Sequence, residues 1–391
     1  MNRRQLMMAS GAALAMRPGS AQSQGTAAQD LPDRILLKDY RPRSIYKIPV
    51  TEVKKAKFPI VDVHCHGARG TEQLDEMVGT MDAVGVEKTV IFTGAATGEK
   101  FAEARRRYSK YPSRFDLWCG FDMTGGETPG FGPAAVKALE ECHRLGALGV
   151  GEISDKGKGI GVRVGTGLGL FPGSSNRPLP QSPAAGPHPD DSRMDTLFDK
   201  CAKLGLPVNI HMSDPIWAYE PMDKTNDGLM NAFTWRLDDK PGLMGHDGLI
   251  ESLEAAVQKH PKTIFIACHL ANLDYDLTRL GRMFDRNPNL YADIAARFAE
   301  TAPIPKFAAQ FFERYSSRIL YGTDMAYNRR MFGATFRILE TNDEHFYEND
   351  LNFNFNYHWA LNGFGLPDPV LRKLYGGNAK DVFQQARNNA G

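Results

Sequence analysis

The sequence predicts a (β/α)8 TIM barrel with long loops after strands 4 and 5, on three observations. Eight short runs rich in β-branched residues follow one another from residue 60 onward. Amphipathic helical patterns separate most of them, and His or carboxylate residues recur where the runs end. A strand followed by a crossover helix, repeated, builds a parallel sheet. Eight such units match a closed barrel better than an open doubly wound sheet.

The runs lie at 60–66, 88–93, 115–121, 148–153, 207–211, 263–269, 290–294 and 319–324. Apolar residues at helical spacing mark 73–84, 134–145, 194–204, 249–259 and 306–315. Two connections are long. The first, 154–192, is rich in Gly, Pro and Ser, with Gly165-Thr166-Gly167 and a proline-bearing stretch from Pro178 to Pro189, and reads as a mobile flap. The second, 213–245, carries Trp217, Tyr219, Trp235 and Arg236 and reads as an ordered wall. Both follow a strand, so both fall on the carboxyl-end face, where barrels of this kind bind their substrates.

The amino terminus reads as an export signal. Arg3 and Arg4 precede an apolar stretch from residue 6 to about 16, followed by Gly19, Ser20 and Ala21. Paired arginines point to the twin-arginine route and so to the periplasm. The apolar stretch is shorter than the roughly 20 residues that span a bilayer, so no stable membrane insertion is expected after signal removal. The organisation expected is a twin-arginine-type signal peptide at 1–24, a linker and lead-in at 25–57, and the barrel at 58–391.

Composition narrows the classes further. Hydrophobic residues make up 42% of the chain, enough for a sizeable core, and 47 basic against 46 acidic residues leave a net charge of +1. With no basic stripe, a nucleic-acid partner is not expected. The five cysteines (Cys65, Cys119, Cys142, Cys201 and Cys268) are odd in number and scattered, and read as buried thiols rather than a disulfide framework.

The chemistry-bearing residues begin with His64 and His66. Residues two apart on a strand share a face, so both imidazoles can enter the barrel while Cys65 points out to the helices. Such a pair can chelate a zinc-like metal, although alone it is modest evidence. Its force comes from recurrence: Glu152, His211, His269 and Asp324 end strands four, five, six and eight. Buried carboxylates need a partner, and a divalent cation supplies one.

This order resembles the amidohydrolase superfamily, and more closely its amidohydrolase-2 branch, which includes aminocarboxymuconate-semialdehyde decarboxylase and related lactonases. The tail from Leu366-Pro367-Asp368 to Gly377-Asn378-Ala379 resembles that branch's closing helix, and the resemblance spans roughly 60–383. It implies that His64, His66, His211 and Asp324 ligate one or two divalent ions, zinc first and manganese as an alternative. Asp324 also serves as general base and then acid, and His269 stabilises the developing oxyanion. Glu152 either bridges two ions or accepts from a ligand histidine. The implied function is hydrolysis of a small-molecule lactone, ester or amide; the alternative is a lyase that decarboxylates or hydrates an aromatic-derived acid. Family members often form homodimers, but no interface is legible in this chain.

Other residues carry competing readings. Arg297 either grips a substrate carboxylate or lies at the surface, with Asp293 as its competing partner. Tyr327 and Asn328 follow Asp324 and are expected to line the pocket. Lys156 and Asp155 stand near Glu152 without a definite role. His246 reads as a helix start with Asp247 as its cap, and His143, His188, His260 and His345 show no partner pattern. The aromatic segment 352–359 either covers the barrel mouth or packs outside.

Overall fold

The computed structural model describes residues 33–67, 71–94, 97–164, 185–324, 327–348 and 358–390. The expected signal peptide, the flap between 165 and 184, and 352–357 of the aromatic segment lie outside the described residues. Residues 33–40 belong to a separate small unit with a 3-10 turn at Leu37–Asp39. Everything from Arg41 onward is one compact unit.

Eight parallel strands build the barrel: β1 (Ile60–Cys65), β2 (Val86–Phe92), β3 (Phe115–Trp118), β4 (Val150–Asp155), β5 (Val208–Met212), β6 (Phe265–Ala267), β7 (Leu290–Asp293) and β8 (Ile319–Leu320). They pair in the orders β1-β2-β3 and β4-β5-β6-β7-β8. Backbone bonds join the two groups at both seams. Cys119 N donates to Gly149 O at 3.1 Å and Gly151 N to Cys119 O at 2.9 Å, which links β3 to β4. Val63 N donates to Tyr321 O at 2.9 Å and Asp324 N to His64 O at 3.0 Å, which links β8 to β1. With no edge left unpaired, the sheet is closed.

The helices are α1 (Thr71–Val84), α2 (Gly98–Tyr108), α3 (Pro133–Arg144), α4 (Ser192–Leu204), α5 (Leu229–Ala232), α6 (His246–Lys259), α7 (Leu277–Arg286), α8 (Phe298–Thr301), α9 (Pro305–Arg314), α10 (Arg329–Glu340), α11 (Asp368–Arg372) and α12 (Asn378–Asn388). Their amphipathic spacing explains where they lie. In α4, Met194, Leu197, Phe198 and Cys201 share a buried stripe; Asp191 caps the start, accepting from Arg193 N, and Gly205, at φ +67°, ends the helix. Tyr291 Oη donates to Gln385 Oε1 at 2.7 Å, and Ala379, Val382, Ala386 and Phe383 of α12 pack with the strand residues Val61, Val63, Val90, Trp118, Ile264 and Tyr291. That contact closes one end of the barrel with the carboxyl-terminal helix.

Some expectations change in detail. α6 begins at His246, but Asp247 is not its cap; it pairs instead with Arg279. β6 stops at Ala267 and β8 at Leu320, so His269 and Asp324 lie beyond their strands. The five cysteines are buried free thiols. Among the described residues no helix is long and apolar enough to cross a membrane.

Candidate metal centre

Strand β1 delivers the first ligands through an irregularity. Asp62 pairs with Thr89 but Cys65 with Ile91, so β1 spends one more residue than β2 across that interval. Such a bulge re-aims side chains. Val61 and Val63 pack among the inner strand residues, Cys65 packs with the helices, and His64 is completely buried. Asp62 holds the bulge, accepting from His64 N at 3.1 Å and Thr323 Oγ1 at 2.8 Å. Gly322 leaves room for the result, since a Cβ there would meet His64 Cβ at 2.9 Å.

Six side chains converge at this end of the barrel. His66 Nε2 stands 3.0 Å from Asp324 Oδ1 and 3.2 Å from Glu152 Oε2. His64 Nε2 lies 3.4 Å from Asp324 Oδ1. Glu152 Oε1 is 2.5 Å from His211 Nδ1 and 3.7 Å from His269 Nε2, and the latter is 3.6 Å from Asp324 Oδ2. The potential ligand atoms of His64, His66 and Asp324 all lie within 4.8 Å of one another, as do those of His64, Glu152, Cys268 and His269. His211 stands beside these two groups and joins them through Glu152.

Hydrogen bonds decide which ring nitrogen faces the cluster. His64 Nδ1 donates to Asp293 Oδ2 at 3.0 Å, leaving its Nε2 lone pair inward. Asp293 is fully buried and is itself fixed by Asn209 Nδ2 at 3.1 Å and by the amides of His269 (2.9 Å) and Ala295 (3.1 Å). His269 Nδ1 donates to the Ala295 carbonyl at 2.7 Å, because a carbonyl can only accept. Its Nε2 therefore presents a lone pair. Burial also lowers the His269 pKa and keeps the ring neutral. In this tautomer Nε2 is an acceptor, and donation to a developing oxyanion would need the ring to be protonated first. His269 (φ +59°) and Asp324 (φ +51°) both take left-handed backbone, held by the bonds from their amides to Asp293 and to the His64 carbonyl.

The donor set fits a divalent cation. The buried His64 Nε2 makes no hydrogen bond, which is costly unless something else occupies it; His211 turns Nδ1 to Glu152 and Nε2 towards Asp214, 3.6 Å away. Without an ion, protons take its place. Burial opposes charge on His66, yet bonds to Asp324 and Glu152 push its pKa up to about 9. Burial likewise opposes charge on Asp324, but the His64 charge and bonds from His64 and His66 hold it well below the usual carboxylate range. Cys268 is different: burial raises its pKa, and its thiol donates to Asn209 Oδ1 at 2.6 Å, so it stays protonated and is no thiolate ligand.

A pH dependence follows. His66 carries its proton below about pH 9 and must shed it to ligate a metal. Metal affinity should therefore rise with pH from 7 through 9, and His64 acts in the same sense: burial opposes its charge, but the Asp293 and Asp324 carboxylates raise its pKa. Chelator competition at pH 7, 8, 9 and 10 checks this; an affinity flat across the series would contradict it.

A cavity of about 390 Å³ opens onto the cluster, lined also by Lys156, Asp214, Trp217, Trp235, Arg297 and Glu300. The aromatic wall expected of 213–245 is present. Trp217 faces Trp359 at 5.5 Å, and Trp359 Nε1 donates to Ala299 O, so the described end of the aromatic segment leans on that wall. Arg297 is buried rather than superficial. It donates to Asn272 Oδ1 and lies 3.5 Å from Asp274 and 3.7 Å from Glu300, not against Asp293. Tyr327 and Asn328 do not line the cavity. Tyr327 Oη is bonded to Thr89 at 3.0 Å, and Asn328 caps α10 by accepting from Met331 N. Lys156, left without a role by the sequence, does line it, and donates to Asp214 Oδ1 at 2.6 Å. Asp293 was the partner of the wrong residue in the sequence reading. It too is a carboxylate at a strand end, so the rule that found Asp324 applies to it equally.

No curated protein sequence matches the chain. Among solved structures, an uncharacterized TIM-barrel protein from Bordetella bronchiseptica is 16% identical, covering 84% of this chain and 100% of its own, with a TM-score of 0.47. A 2,6-dihydroxybenzoate decarboxylase complexed with 2,6-dihydroxybenzoate is 17% identical over 84% of this chain and 99% of its own, at 0.47. A 5-carboxyvanillate decarboxylase from Novosphingobium aromaticivorans with bound manganese is 13% identical over 84% and 97%, at 0.46. The amidohydrolase family model (Amidohydro_2) matches residues 61–385, from β1 into α12, and the chain belongs to that family.

Proposed function

We propose that this protein hydrolyses a C–O or C–N bond of a small molecule, a lactone, ester or amide, at a metal centre held by His64, His66, His211 and Asp324, with Glu152 and His269 at its edge. The family is one of metal-dependent enzymes. The observation that carries the reading is the convergence of imidazole nitrogens and carboxylates on one point of a cavity, with the buried Nε2 of His64 lacking any hydrogen bond. A divalent cation there would supply Lewis acidity to a water and to a substrate carbonyl.

The chain's own groups do the rest. Asp324 Oδ2 takes a proton from the attacking water and returns it to the leaving atom. His269, neutral and locked by the Ala295 carbonyl, offers Nε2 as a second proton acceptor 3.6 Å from that oxygen. Trp217 and Trp235 wall the cavity and reduce access of bulk water.

The lyase alternative asks for a cation to grip a carboxylate. Arg297 is already held by Asn272 beside Asp274 and Glu300, and four carboxylates (Glu152, Asp214, Glu300 and Asp324) line the cavity. The two cations of the lining, Lys156 and Arg297, are thus each engaged by a lining carboxylate, Asp214 and Glu300, which matches an uncharged carbonyl substrate better than a carboxylate and supports hydrolysis.

The test is elemental analysis of the purified protein and of Glu152→Ala, with zinc and manganese supplied, followed by an ester and lactone panel. His64 belongs to both ligand groups, and with Nδ1 given to Asp293 it has one nitrogen left for an ion. One equivalent is therefore expected in the wild type, retained in the variant with lower turnover. Two equivalents that fall to one in the variant would make Glu152 a bridge instead. No metal in either protein after reconstitution would sink the reading.

A further inference from the structure

We infer that the substrate carries an apolar arm and that a second cavity beside the metal centre receives it; this rests on the hydrolytic reading above. The second cavity measures about 360 Å³ and shares Glu152, Ser154 and Lys156 with the first. Beyond that neck its character changes. Phe121, Met123, Ile153, Ile160, Val162 and Val164 make most of the wall; beyond the neck the exposed Arg163 is the one charged side chain, and Glu152 the one carboxylate, among the lining residues described. An uncharged bond held at the neck would thus have polar groups on one side and an apolar chamber on the other. Specific small-molecule sites combine these two features.

The chamber wall is fixed by built-in contacts. The buried Asp155 carboxylate accepts from the amides of Gly157 and Gly159, both at 2.9 Å, and faces His188 Nδ1 at 2.7 Å. Ile160 N donates to Pro187 O at 2.8 Å, and Gly186 N to Lys158 O at 2.9 Å. These bonds staple residues 155–160 to 186–188, at the foot of the long connection. Gly161, at φ +80°, then lets the wall close on Met123, since a Cβ there would meet Met123 Cβ at 2.8 Å. His188 and Asp155, without a definite role in the sequence, together form this clamp.

The experiment compares 4-nitrophenyl acetate with 4-nitrophenyl hexanoate, in wild type, Met123→Trp and Val162→Trp. Both substituted residues are partly exposed on the chamber wall, so one variant can stand in if the other fails to fold. Each methylene fully buried is worth up to about fourfold. A wild-type kcat/KM at least about tenfold higher for hexanoate is therefore expected from four added methylenes. The indole variants should lose that preference and keep the acetate rate. Equal rates on the two esters in wild type, or a preference untouched by either variant, overturns the proposal. If the wild type turns over neither ester, the hydrolytic reading fails in this assay, and calorimetry with 4-phenyl-1-butanol tests the chamber alone. Binding weakened at least tenfold by an indole supports the chamber, and binding that is absent or unchanged overturns it.

Discussion

Asp324→Asn is expected to lower kcat/KM about 10²–10⁴-fold, the usual worth of a positioned general acid-base group. Asparagine keeps the shape of the side chain and cannot take a proton. Asp324 meets His64 at 3.4 Å, His66 at 3.0 Å and His269 at 3.6 Å, whereas Glu152, the other carboxylate at the cluster, is engaged by His211 at 2.5 Å as well as lying 3.2 Å from His66. Its backbone anchor, the bond from its amide to His64 O, does not involve the side chain, and the fold should survive. The loss should fall on kcat more than on KM, with metal content measured alongside. A variant that kept full metal and more than a tenth of wild-type turnover would remove Asp324 from the chemistry.

The second large effect should come from a residue outside the cavity wall. Asp293→Asn replaces an acceptor that holds His64 Nδ1–H with an amide. That carboxylate meets four donors: His64, Asn209 and the amides of His269 and Ala295. Two donors meet each carboxylate oxygen, so the single oxygen of asparagine can keep one pair; if it keeps the two amides, its NH2 faces His64 and Asn209, and the imidazole must turn away or change tautomer. If Nδ1 becomes the acceptor, the proton moves to Nε2 and the lone pair aimed at the metal is gone. Removing such an orienting partner typically costs about 10–100-fold in metal affinity or activity. Chelator competition reads it directly. Affinity within twofold of wild type would show that packing against Phe92, not Asp293, orients His64.

Much of the site was legible because its signals are local. His64 and His66 stand two apart at an apolar run, Glu152 and His211 lie on strands, and His269 and Asp324 follow shortly after theirs. Trp217 and Trp235 are conspicuous on a long loop. Orientation was not legible. The bulge at β1 arises from its register against β2, and the left-handed backbone at His269 from an amide bond to a residue on another strand. Tyr327 and Asn328 illustrate the limit: proximity in sequence to Asp324 suggested the pocket, while Thr89 and the first turn of α10 claimed their polar groups.

The sequence by itself determined the barrel, since alternating strands and amphipathic helices leave few other ways to bury both faces of a parallel sheet. It also determined which residue types meet at the carboxyl ends of the strands. Only the tertiary structure decided the partners. It turned Asp293 to His64, Ala295 to His269, and Asn272, Asp274 and Glu300 to Arg297, and it set an apolar chamber beside a charged one. The reason is physical. A residue's type follows from the chain, but the tautomer, charge and direction of a buried side chain follow from donors and acceptors that the fold brings from distant segments.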